Sequence, residues 1–199
     1  GEGEMVGRAF FKSLVKDHCK AYFEPFGKAL AAAGIKKPNP LNPAHAWALK
    51  GALAPYASWF MSQKMRVGSS HSLPNMPAKL RDHADWACDA LQNQPLTISG
   101  VMRKHQLKLA DRQCRMSDLS LRIQKMIIML ATSLSASQQQ DEVVQTAADV
   151  LCDDLKREIT GKPPSDRYFR KVTALGQTIV DGGFQSIAGL EPDEILMRY

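Results

Sequence analysis

Residues 109–137, LADRQCRMSDLSLRIQKMIIMLATSLSAS, decide the fold. Met116, Leu119, Ile123, Ile127, Leu130 and Leu134 recur at steps of three and four, which sets them along one side of an α-helix and makes that side a packing surface. An ordinary helical core accounts for every residue of the stripe, and none of them carries chemistry. The same spacing continues downstream. Val144, Ala148, Leu151, Leu155 and Ile159 outline a second helix, stopped by Gly161, Pro163 and Pro164. Ser165 is placed to cap a third, whose Phe169, Val172, Leu175 or Gly176 and Ile179 should face inward before Gly182 and Gly183 end it. Residues 191–199 read as an extended tail.

Upstream the pattern is again helical. Phe11, Leu14 or Val15, His18 and Tyr22 share a face over residues 5–23, and Pro25 with Gly27 predicts a break before an Ala-rich piece, 28–33, that closes at Gly34. Three prolines at 38, 40 and 43 make residues 35–43 a connector, with Asn42 as helix cap and Pro43 at the first helical position. A second connector spans 68–74. In the segment between them, Gly51 and Pro55 argue against a long continuous helix. Leu80, Ala84, Ala87 and Leu91 outline a helix ending near Asn93, because Pro95 cannot continue it, and Thr97 can cap a further one through Val101 and Met102. Strand signals are nearly absent. The expected fold is all-α, an antiparallel helical bundle over 75–199, preceded by helices in 1–34 and by connectors with an aromatic and basic segment in 35–74.

A chain of 199 residues with 44% apolar and 23% charged residues is ordinary for a globular protein. Its longest apolar run, Met126 to Ala131, is far too short to span a bilayer, and no export signal opens the chain. An intracellular location is expected, cytoplasmic or peripheral to the inner face of a membrane. Cys19, Cys88, Cys114 and Cys152 are widely separated and should be free thiols. The five histidines form no H-x-x-x-H or H-E-x-x-H pair, so no metal is expected. No phosphate-cradling glycine loop, nucleophile elbow or catalytic carboxylate pair is present, and Asp153–Asp154 and Asp82, Asp85 and Asp89 read as solvated helix faces.

Charge is unevenly distributed. Residues 1–80 hold 11 Lys/Arg against 4 Asp/Glu, residues 81–140 hold 8 against 5, and residues 141–199 hold 7 against 11. The basic first half would attract anionic partners, although lysines scattered on solvated helix faces are the commoner explanation. Within it, Trp47, Tyr56, Trp59, Phe60, Met61 and Met65 sit among Lys50, Lys64 and Arg66. Aromatic residues beside basic ones suit a membrane interface; they suit a bundle core as well. Trp59, Phe60, Lys64 and Arg66 are the candidate membrane or partner surface. A stand-alone helical module binding nucleic acid is the alternative, less favoured because no reading motif is recognisable.

Residues 109–159, from Leu-Ala-Asp through DEVVQTAADVLCDDLKREI, resemble the C-terminal helical region of very-long-chain-type acyl-CoA dehydrogenases, where a helix opening with Leu-Ala-Asp precedes one rich in acidic and small apolar residues. The layout of Gly68-Ser69-Ser70-His71-Ser72-Leu73-Pro74 is similar to a loop of that family. Gly1-Glu2-Gly3-Glu4 resembles the junction at which the family's catalytic glutamate stands, so the resemblance makes Glu2 the candidate base. It departs from the family at Glu4, where threonine is usual, and a register shifted by two would put the base before residue 1. The resemblance implies a C-terminal fragment of a flavin-dependent dehydrogenase of long-chain acyl-CoA, acting in fatty-acid β-oxidation. FAD belongs to the parent enzyme, and no cofactor is held by the fragment, which is not expected to be active alone. It further implies a homodimer and association with a membrane.

Overall fold

The computed structural model describes residues 9, 12–39, 41–65, 71–105 and 113–182. Every regular element among them is helical: α1 (12–18), a π-helical turn (Cys19–Phe23), α2 (Glu24–Ala32), α3 (Pro43–Met65), α4 (Ala78–Gln92), α5 (Gln94–His105), α6 (Gln113–Ser137), α7 (Glu142–Thr160) and α8 (Asp166–Val180). The protein is all-α. Two compact units divide inside α4 and α6: Gly1–Ser72 with Ala87–Ile127, and Leu73–Trp86 with Ile128–Tyr199.

Both interior prolines are carried within helices rather than breaking them. At Pro25 the chain does not stop: the preceding turn widens, and Glu24 N–H bonds the Cys19 carbonyl five residues back. The proline then falls in the first turn of α2, where its missing N–H costs least. Pro55 lies inside the 23-residue α3, which continues past Gly51 as well. The predicted stop at Gly34 is present. Its φ of 66° is left-handed, and Gly34 N–H to Ala31 O with Ile35 N–H to Leu30 O forms a Schellman ending. Asn42 caps α3 through Oδ1, which accepts from Ala44 N–H at 3.0 Å. The break before α5 is a single residue, Asn93; Thr97 lies inside that helix, its hydroxyl donating to the Asn93 carbonyl. The helix opening expected at Leu109 and the extended tail expected over 191–199 lie outside the described residues.

The first unit centres on Ile98, Val101 and Met102 of α5 and Leu119 and Ile123 of α6, with Val15, Cys19, Phe23, Leu91 and Met116 against them. Tyr56 meets Ser99 and Phe60 meets Arg103, so α3 and α5 run in the same direction. In the second unit, Leu80 packs with Ala136 and Ala148. Ser133 meets Cys152 and Lys171 meets Asp149, so α6, α7 and α8 alternate in direction. The α6 stripe follows the predicted one at Leu119 and Ile123 and is rotated from it beyond them. Ile127 is 49% exposed, whereas Met126, Met129, Ser133 and Ala136 are buried.

Candidate functional site

In α7, Asp149 and Asp153 are one helical turn apart and share a face. Lys171 of α8 reaches both: its Nζ donates to Asp149 Oδ2 at 2.9 Å and also bonds Asp153. From α4, His83 approaches the same carboxylates. Its Nε2 lies 2.7 Å from Asp149 Oδ1 and 3.7 Å from Asp153 Oδ1, and because an ionised carboxylate only accepts, Nε2 is the protonated nitrogen. His83 and Asp149 are buried. One turn further along, Tyr168 donates its hydroxyl to Asp154, while the Arg157 guanidinium lies 4.3 Å over the Tyr168 ring and 3.3 Å from Asp154.

Burial alone would raise the Asp149 carboxyl, but hydrogen bonds from His83 and Lys171, with the Lys171 charge, outweigh it and hold the group at about 2. For Lys171, burial pulls its pKa down and the bonds to Asp153 and Asp149 more than reverse that, leaving it raised. The hydrogen bond to Asp154 raises the Tyr168 phenol. Burial raises the Cys152 thiol, and none of Cys19, Cys88, Cys114 and Cys152 is disulfide-bonded.

His83, Asp149 and Asp153 bring donor atoms within 4.8 Å of one another, a spread compatible with a divalent ion. The donors are already committed. A metal would need a bare lone pair at His83 Nε2, where a hydrogen points to Asp149, and it would have to displace the Lys171 ammonium from both carboxylates. Lys171 supplies the charge a metal would supply, so the cluster is an ion-pair layer.

Sequence spacing placed none of this. On α8, Phe169 and Val172, expected inside, are 53% and 36% exposed; Tyr168 and Lys171 point to α7 instead, because the aspartates there need partners. On α7, Leu151 is 45% exposed while Asp149 and Cys152 are buried. The available signal was Asp149 and Asp153 flanking Cys152 on one helical face, opposite a tyrosine and a lysine three residues apart in α8.

The first unit contains a layer of rings. His18 lies 4.9 Å from Tyr22, 4.6 Å from Trp59 and 6.4 Å from Tyr56 between ring centroids, and Tyr56 hydrogen-bonds the fully buried Ser99 at 2.7 Å. The His18 Nε2 is buried without a partner among the described residues, and burial lowers the imidazole's pKa. Trp59 and Phe60, expected on a membrane or partner surface, are instead half-buried in this layer, because Tyr22, Tyr56 and His18 pack against them; Lys64 lies 5.2 Å and Arg103 5.3 Å over Phe60. Glu2 and Arg66 lie outside the described residues.

At 100° per residue, the opposite side of α3 carries Trp47, Ala54, Ser58, Met61 and Met65. Trp47 is 72% exposed, Met61 56% and Met65 82%; Lys50 covers the Trp47 ring at 3.3 Å. No described helix is long and apolar enough to cross a membrane. No family model, curated protein or solved structure matches the chain.

Proposed function

We propose that this chain is the C-terminal helical module of a flavin-dependent acyl-CoA dehydrogenase acting on long acyl chains, and that it serves the parent's architecture and docks it on an anionic membrane surface. The observation that carries the docking role is the outward side of α3, where Trp47, Met61 and Met65 stand exposed with Lys50 and Lys64 beside them. A largely apolar stripe flanked by lysines fits a helix lying in the interfacial plane, its rings among the headgroups and its ammonium groups on lipid phosphates. The dehydrogenase assignment rests on the resemblance over 109–159 and at Glu2. Chemistry would belong to the parent's flavin and acyl-CoA domains.

Two measurements test the two halves of this reading. Sedimentation with vesicles should show binding to bilayers containing phosphatidylglycerol, loss on neutral phosphatidylcholine, and loss again in Trp47→Ala/Met65→Ser; equal binding to both bilayers, or none, ends the docking role. Expressing the chain with the coding sequence upstream of Gly1 should give a yellow protein whose flavin is bleached by a long-chain acyl-CoA. A protein that binds no flavin ends the dehydrogenase assignment. Steeply salt-dependent binding to DNA without vesicle binding would point to the nucleic-acid module that the basic first half allows.

A further inference from the structure

The second unit has a hollow of about 240 Å³ lined by Trp86, Lys156, Arg157, Lys162, Ser165 and Tyr168, with Asp153, Thr160 and Pro163 completing the wall. Three cations and one carboxylate line it, although residues 141–199 as a whole carry more acid than base. The carboxylate, Asp153, is bonded by Lys171, which it shares with Asp149. Two of the cations are set in place by rings: Lys156 Nζ lies 4.9 Å from the centre of Trp86, and Arg157 lies 4.3 Å over Tyr168, its guanidinium also paired with Asp154 at 3.3 Å, so that Lys156 and Lys162 supply the uncompensated charge. Lys162 has no carboxylate within ion-pair distance among the described residues. Arg157 Nε is buried with no hydrogen-bond partner among them, a donor state that native interiors seldom leave unused.

The remaining wall is of matching kind. Ser165, which caps α8 by accepting from Tyr168 N–H, lines the hollow, so the amino end of a 15-residue helix lies at its wall; the helix dipole favours negative charge there, part of which Asp166 in the first turn supplies. Trp86 is half-buried and offers a flat apolar surface. The volume is below the about 300–1,000 Å³ of pockets that enclose drug-sized ligands, which restricts the occupant to an anion carrying little more than one ring.

From this arrangement we propose that the hollow is a binding site for a small phosphate monoester with a flat head group. The phosphate is held by Lys156, Arg157 and Lys162, and the head group lies against Trp86. The guanidinium and ammonium groups supply charge-assisted hydrogen bonds to phosphate oxygens, and the ring wall selects for a planar substituent over inorganic phosphate.

Calorimetric titration of the full chain with phenyl phosphate at fixed ionic strength tests this, with inorganic phosphate and benzyl alcohol as the two half-ligands. Phenyl phosphate should bind more tightly than either half. Lys156→Ala/Lys162→Ala should weaken it by about tenfold or more, whereas Lys50→Ala, on α3, should leave it unchanged. Lys162→Ala alone, in an exposed position after the end of α7, serves as the variant whose folding is not in question and should weaken binding in the same direction. Equal affinity in wild type and Lys162→Ala, or no heat with phenyl phosphate at all, overturns the assignment. Binding of inorganic phosphate as tight as phenyl phosphate overturns the role of Trp86 and with it the proposed ligand class.

Discussion

The ring layer of the first unit and the ion-pair layer of the second hold helices together by different physics. In the first, His18, Tyr22, Tyr56 and Trp59 meet at centroid distances between 4.6 and 6.4 Å, and the energy is burial and ring packing, which salt hardly alters; acid weakens it through one group, the His18 imidazole, whose pKa burial lowers, so that stability is lost as pH falls below the usual imidazole value. In the second, three helices converge on Asp149 through His83 and Lys171, and the energy is conditional on charge. Such a layer contributes orientation more than net stability, because taking the charges from water offsets most of their attraction. Breaking one member is another matter: the others are then left buried without compensation.

The largest effect expected is therefore at Asp149. Asp149→Ala leaves His83 and the partly buried Lys171 facing a cavity, and should cost about 3–5 kcal/mol, the range for removing one partner of a buried pair. Urea denaturation measures the total, and hydrogen exchange should show the loss in α7 and α8 while α3 and α5 keep their protection. A uniform loss across both units would mean that the two fastenings are not separate.

Acid separates the units next. Asp149 is held at about 2, below its usual 3.8, so its contribution is fully present above about pH 4 and is lost as pH falls through 2. At 1.36 kcal/mol per unit the loss amounts to about 2–3 kcal/mol. Fluorescence of Trp86, in single-tryptophan variants, should report unfolding at a lower denaturant concentration at pH 2.5 than at pH 6. A midpoint that does not move would show that Asp149 is not the group on which the layer depends. The ring layer should be tested in its turn by Tyr56→Phe, which strips the fully buried Ser99 hydroxyl of its partner and should cost about 1–2 kcal/mol by thermal unfolding, measured above neutral pH, where the His18 imidazole with its lowered pKa carries no charge.

The two layers also differ in how well a reader of the sequence could have found them. Helices, the Asn42 and Ser165 caps and the stop at Gly34 are local: each depends on a few neighbouring residues and a backbone preference, so all were legible. So was the all-α class, from spacing alone. The buried faces of α6, α7 and α8 were legible only in part: Leu119, Ile123, Ala148 and Ile159 are buried as predicted, but hydrophobic periodicity assumes that the inward side is the apolar one. On α8 that assumption fails: Tyr168 and Lys171 turn in and Phe169 turns out, since partners for Asp149, Asp153 and Asp154 are worth more at that interface than one more ring. Pro25 and Pro55 misled for a related reason. The cost of a proline in a helix is set by what happens to the carbonyl four residues before it, and a π turn or a solvent-facing carbonyl reduces that cost without leaving a mark in the sequence.

Trp47 gives the smallest stability effect and the sharpest limit on the comparison. It belongs to neither layer. Its ring is 72% exposed and its one described contact is the Lys50 ammonium at 3.3 Å; exposed cation–π contacts contribute about 0.5–1 kcal/mol at most. Trp47→Ala should therefore lower the unfolding free energy measured in urea by no more than about 0.5–1 kcal/mol, close to the ordinary range for a surface substitution, at pH 6 and at pH 2.5 alike. A loss comparable to that of Tyr56→Phe would mean that the outward side of α3 is covered in solution, by a second copy or by chain outside the described residues. The same variant would then raise the exchange rate of α3 amides and change the sedimentation coefficient with concentration. With no such loss, the outward side of α3 is a surface that folding does not need, and its three large exposed side chains require a reason outside the chain.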